Sequence, residues 1–190
     1  MHFFYIFVSA SCPKFDAPRL MTLLKTSLLA LVLFCTVTSC SKDETPVVEE
    51  QQTTDYSIDV NLANETNWEM ANEILELVNQ HRVSQGLTTL KRDQQYASAY
   101  AVDHTFYMID LEEINHDHFD VRKKGLKDRG AKIVGENVAF GYPSAETVVN
   151  AWLNSPGHRA NIEGNYTHSG FGVIEAPDGR VYFTQLFYKK

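Results

Sequence analysis

Between residues 64 and 83, Ala71, Ile74, Leu75 and Val78 fall at i, i+3, i+4 and i+7. That spacing predicts an amphipathic helix, which Gly86 ends. A second helix is expected over 92–109, with Ala97, Ala101, His104 and Met108 along one side. Residues 119–127 form a short third helix, stopped by Gly130. Residues 132–140 (KIVGENVAF) read as extended, with a turn at Gly135. Ser144 is a good N-cap, with Glu146 in the first turn, and the helix behind it aligns Ala145, Val148, Val149, Trp152 and Leu153. Ser155-Pro156 interrupts that helix and starts another, Pro taking the first helical position. The end alternates as strands do, over 171–175 and 180–188, around a Pro177-Asp178-Gly179 turn. Helices first and a hairpin last predict an α+β domain with helices packed on a sheet.

The first 40 residues follow a different pattern. Residues 28–39 (LLALVLFCTVTS) are an apolar run preceded by Lys25. A membrane span needs about 20 apolar residues. The shorter run has the length and flanks of a signal-peptide core. It ends in Val37-Thr38-Ser39-Cys40, which resembles a bacterial lipobox, so Cys40 is the expected lipidation site. Met21 opens a more typical leader than Met1 and is the alternative start. Residues 41–65 are acidic and poor in large apolar side chains, and read as a flexible tether. Ser41-Lys42-Asp43-Glu44 resembles surface-export signals of some Gram-negative lipoproteins and reads equally as solvated linker. The expected organisation is a leader over 1–40, a tether over 41–65 and a domain over 66–190.

Composition narrows the class. The chain has 190 residues, 44% hydrophobic and 22% charged, which suits a globular domain. Its net charge of -7 argues against a nucleic-acid partner. All three cysteines, Cys12, Cys35 and Cys40, lie in the leader. The exported domain therefore forms no internal disulfide and uses no thiol in catalysis.

The sequence lacks a G-x-S-x-G elbow, an H-E-x-x-H helix, a phosphate loop and a G-x-G-x-x-G turn. What remains is a set of histidines, His81, His104, His116, His118, His158 and His168, beside acidic residues. His104, on an apolar helix side, reads as a hydrogen-bonded core or pocket-wall residue. His158, just inside a helix start, reads as a neutral imidazole able to bind a metal or act as a base; packing at a helix junction is the alternative.

Five blocks then appear in order: 77–82 (LVNQHR), 135–139 (GENVA), 152–162 (WLNSPGHRANI), 170–173 (GFGV) and 183–187 (FTQLF). Together they resemble the bacterial branch of the CAP superfamily, the SCP-like domain of cysteine-rich secretory, antigen 5 and pathogenesis-related proteins. The resemblance covers about residues 70–190. It implies a three-layer α-β-α sandwich with a central antiparallel sheet and an open cleft. In many members two histidines and two glutamates line that cleft, and some bind zinc or another divalent cation. The matching positions are His116, Glu136 and His158, while the second glutamate falls near Ser155, where no acid stands. His116, Glu136, Ser155 and His158 are thus the expected cleft residues, with His116 and His158 as metal ligands. Alternatively Glu136 is structural, accepting backbone N–H bonds or pairing with Arg159, while the histidines bridge the layers. Asn137, Asn161 and Trp152 read as structural.

The function implied is an envelope-anchored binding module for a lipid, glycan or protein, held to the membrane through the lipid on Cys40. The outer membrane or cell surface is the expected location. No cofactor is required, with zinc or another divalent cation as an optional ligand. The aromatic residues Tyr96, Tyr100, Phe106, Tyr107, Phe140 and Tyr142 line a groove or fill the core. The alternative is a metal-assisted hydrolase, with Glu136 or His158 as its catalytic base.

Overall fold

The computed structural model describes residues 57–190. The leader, Cys40 and the first part of the expected tether lie outside these residues. The helices are α1 (Trp68–Ser84), α2 (Tyr96–Leu111), α3 (Phe119–Lys127), α4 (Ala145–Asn154) and α5 (Pro156–Ile162). The strands are β1 (Lys91–Arg92), β2 (Ile133–Phe140), β3 (His168–Glu175) and β4 (Val181–Lys189). A short 3-10 helix, Val60–Glu65, precedes α1. Its Ala63, and Ile58 before it, pack with Ala97 and Tyr100 of α2, so packed chain extends upstream of residue 66.

Local chemistry explains the helix ends. Asn67 caps α1 by accepting from the Met70 amide at 3.1 Å. At its other end Gly86 adopts φ +72. The Leu87 amide then donates to the Arg82 carbonyl and the Gly86 amide to that of Val83, both at 2.9 Å, as in a Schellman motif. Ser144 and Thr147 form a reciprocal capping box on α4. α2 begins at Tyr96, four residues after the expected start. There Lys91 and Arg92 pair with β3, and Asp93 turns the chain by accepting from the Gln95 amide at 2.8 Å.

The sheet order is β1-β3-β4-β2. The β3–β4 and β4–β2 pairs are antiparallel, and β1 lies parallel to β3 through Lys91↔His168 and Arg92↔Ser169. The sheet is therefore mixed at one edge. The chain leaves β1 through α2 and does not fold straight back, so no hairpin imposes the antiparallel direction there. Strand alternation divides the side chains between two layers. Phe171, Val173, Phe183 and Phe187 pack with α1, α4 and α5. Leu186 and Tyr188 pack with α2 and α3. This is the three-layer sandwich.

Two glycines set the distance between the sheet and α2. A Cβ on Gly170 would come within 2.4 Å of the Ala97 carbonyl carbon, and one on Gly172 within 2.4 Å of the Ala101 carbonyl oxygen. Backbone atoms in a packed helix cannot move aside as a side-chain tip can. Gly170→Ala is expected to cost at least about 2 kcal/mol by overpacking, read as a lowered urea midpoint at constant slope. An unchanged midpoint would show that α2 shifts freely.

β2 corrects one expectation. Gly135 makes no turn, because β2 pairs with β4 without interruption from Ile133 to Phe140. The glycine is needed for close approach: a Cβ there would lie 2.4 Å from the Tyr166 hydroxyl and 2.9 Å from Asn161 Oδ1.

Candidate functional site

Glu136 and Asn137 are neighbours on β2, so they point to opposite faces of the sheet. Glu136 faces α3. Its side chain is only 2% exposed, and both carboxylate oxygens are engaged. Arg122 donates from Nε to Oε2 at 2.7 Å and from Nη2 to Oε1 at 2.8 Å, a bidentate fork. His116 meets Oε1 through Nδ1 at 2.7 Å. Burial alone pushes the Glu136 carboxyl up, but the hydrogen bonds from His116 and Arg122 outweigh it and hold the group below the usual carboxylate range. Glu136 is therefore ionised, and His116 donates to it from Nδ1.

Of the structural alternatives read from the sequence, backbone amides or Arg159, neither holds the carboxylate; Arg122 does. Arg122 also donates from Nη1 to the Asp117 carbonyl at 2.7 Å, which ties down the 116–118 loop. Sequence reading missed this residue because it sits beside Lys123 and Lys124, in a helix that looks solvated. One signal was available: Phe119, Arg122 and Leu126 lie at i, i+3 and i+7, on one helix face.

His158 belongs to the opposite face. The Asn137 amide donates to the His158 carbonyl at 3.2 Å, and Asn161 donates to Asn137 Oδ1 and to the Glu136 carbonyl, both at 2.9 Å. These three asparagine contacts fasten α5 to β2. Partial burial lowers the His158 pKa, and the nearby His116 lowers it further, so the neutral imidazole is favoured. His104, 2% exposed, donates from Nε2 to the Asn115 carbonyl at 2.9 Å and is a core histidine.

Ser155 and His158 open onto a groove of about 230 Å³ that runs beside β2, with Ile114, Phe140, Tyr142 and Trp152 in its walls. His116 is half-exposed and bound to Glu136 on the α3 side. A second hollow, about 370 Å³, lies between α2 and α3 beside His104, Tyr107 and His118. Of the aromatic residues singled out from sequence, Phe140 and Tyr142 line the groove and Tyr107 the second hollow. Tyr100 is core, and Tyr96 lies under the Arg129 guanidinium at 4.1 Å.

The donor set can be tested against the divalent cation that the family implies. Glu136 spends both oxygens on a guanidinium and an imidazole, and a cation there would face Arg122. His116 spends Nδ1, leaving Nε2. Two imidazole nitrogens remain, from His116 and His158. Among the described residues no group of three or more His, Cys, Asp or Glu is placed to hold a metal ion. The residues fall short of the three or four protein ligands of an ordinary zinc site.

The family model for the cysteine-rich secretory protein family, CAP, matches residues 75–187. Bacillus subtilis membrane protein YlbC is 38% identical over 126 residues, covering 62% of this chain and 34% of its own length. Bacillus subtilis YkwD is 36% identical over 129 residues, covering 62% of this chain and 46% of its own. The chain thus spans less than half the length of these relatives. Among solved structures, an extracellular SCP-domain protein of Bacillus anthracis superposes with TM-score 0.53 at 30% identity, covering 66% of this chain and 41% of that one. An outer surface protein of Borrelia burgdorferi shares the fold, with TM-score 0.58 at 23% identity over 64% of this chain and 93% of its own. With the family model covering more than half the chain, and with the sandwich and the GEN and SPGHR positions in place, this protein belongs to the CAP family.

Proposed function

We propose that the domain is an extracytoplasmic binding module of a cell-envelope or surface protein, for a lipid, glycan or protein ligand, and not a hydrolase. The observation that carries this is the state of Glu136. A general base needs a free lone pair within reach of a water or substrate proton. Glu136 is buried, ionised and engaged at both oxygens, and its depressed pKa makes it a weak base. His158, the other candidate, has no carboxylate partner among the described residues to orient its ring or stabilise its protonated form. The groove supplies recognition surface in place of reacting groups. Placement outside the cytoplasm is supported by the leader and by the extracellular SCP-domain protein of Bacillus anthracis. Lipid attachment at Cys40 and display on the outer membrane or cell surface complete the reading. No helix among the described residues is long and apolar enough to cross a membrane.

The purified full chain is expected to show no turnover above buffer on fluorescent casein or on p-nitrophenyl acetate, with or without added zinc. Turnover that disappears in a folded Glu136→Gln or His158→Ala variant would overturn the reading.

A further inference from the structure

β2 is an edge strand, and its edge is only partly covered. Gly141 donates to the Val181 carbonyl, so the odd-numbered positions opposite β4 form the bonded pairs. The even-numbered residues of β2 therefore turn their amide and carbonyl groups outward. Two outward carbonyls are taken: Asn161 donates to that of Glu136 and the Trp152 indole to that of Val138, at 2.9 and 3.2 Å. The amides of Val138 and Phe140 and the carbonyl of Phe140 have no protein partner among the described residues. The other edge of the sheet contrasts. Beyond β1, Ser98 accepts from the Phe171 amide, Thr66 donates to the Phe171 carbonyl, and the Asn67 amide donates to that of Val173.

Val138 is only 5% exposed, and an unpaired amide in a buried residue is rare in folded proteins, while Phe140 beside it is exposed. Both residues line the apolar groove. We propose that this edge docks an extended peptide segment of another protein, which joins the sheet as a strand beside β2. This rests on the binding reading above and names the ligand class.

At the groove the edge offers two donors and one acceptor, with the donors two residues apart, about 6.5–7 Å along the strand. An extended peptide carries carbonyls and amides at that spacing. An acyl chain has nothing to offer the two amides, and sugar hydroxyls have no fixed two-residue repeat. Charge matches as well: the N–H dipoles meet electron-rich carbonyls, and among the described residues no carboxylate lines the groove. Ile114 and Tyr142 would contact alternate side chains of the added strand.

The test uses the full chain in detergent and a pooled library of capped octapeptides. Retained sequences are resynthesised with single N-methyl groups stepped along the backbone. Affinity is expected to fall at least tenfold at the one amide that donates to the Phe140 carbonyl and to hold at its two neighbours, which face away from β2. Phe140→Pro removes an outward amide without costing a ladder bond and should bind at least tenfold more weakly than Phe140→Ala. Should the proline variant not fold, the N-methyl scan on the wild type decides alone. Retained peptides with no sensitive amide, or with adjacent amides equally sensitive, overturn the proposal. So does a dimer of this chain that Phe140→Pro dissolves, which would give the edge to a second copy. Retention of phospholipid vesicles or cell-wall glycan with no peptide retained overturns it and leaves the binding reading standing. No retention of any of these probes overturns both.

Discussion

Arg122→Ala is expected to destabilise the domain by about 3–5 kcal/mol at neutral pH, the usual cost of stranding a buried charge. The Glu136 carboxylate would keep only His116 beside it, inside a side chain that water barely reaches. The pH dependence supplies a second signature. In the wild type the Glu136 pKa lies below that of the unfolded chain. Its contribution is then complete above the unfolded carboxylate range and is lost as pH falls through the folded pKa. In the variant, the guanidinium no longer offsets burial, so the folded pKa rises relative to the wild type. The carboxyl then contributes less at neutral pH, and the loss shrinks once acid protonates it. The stability gap between the two proteins should accordingly narrow from pH 7 to pH 4. Urea titrations across that range measure it, and a gap below 1 kcal/mol at pH 7 would mean the fork contributes little. Replacing both residues by Met and Leu should recover part of the loss, because an apolar pair leaves no charge stranded.

Arg82→Ala is expected to cost about 3 kcal/mol or more, since a single side chain satisfies a whole loop. Arg82 is 1% exposed. Its Nε donates to the Thr88 carbonyl at 2.8 Å, and Nη1 donates to the carbonyls of Ile162 and Gly164 at 2.6 and 2.9 Å. Nη2 reaches the Tyr166 carbonyl at 3.4 Å. The guanidinium thus binds the end of α1 to the segment that carries the chain from α5 into β3. Truncation leaves these acceptors partly buried and unpaired. Arg82→Lys should restore well under half of the loss, because an ammonium cannot reproduce the planar fork. A lowered urea midpoint with unchanged slope is the expected reading. Full recovery by lysine would show that charge, and not the fork, holds the loop.

Both arginines mark the limit of what periodicity can tell. Helix positions and the terminal hairpin were legible because they depend on neighbours in sequence. Asn67, Ser144 and Gly86 act within a few residues of themselves, and the apolar face of α4 is written at its own spacing. The limits of α3 were legible for the same reason. The start of α2 was misplaced because Lys91 and Arg92 pair with β3, far along the chain. At Gly135 the residue type suggested a turn, while the reason for glycine is the Tyr166 ring, 31 positions later in sequence.

The candidate site divides in the same way. The order of the GEN and SPGHR blocks put forward Glu136 and His158, and the family resemblance put forward His116. Nothing local shows that Glu136 is bound by Arg122, since that pair forms only when α3 packs on the face of β2 opposite to α5. The groove and its unpaired amides are likewise properties of the sheet, because whether a strand lies at an edge depends on the order in which strands assemble. By itself the sequence determined the helices, the hairpin and the family, and it put forward His116, Glu136, Ser155 and His158 as site residues, through short-range hydrogen bonds, side-chain periodicity and motif order. Only the tertiary structure decided which of those residues remain free to act, because desolvation and pairing partners come from segments distant in sequence.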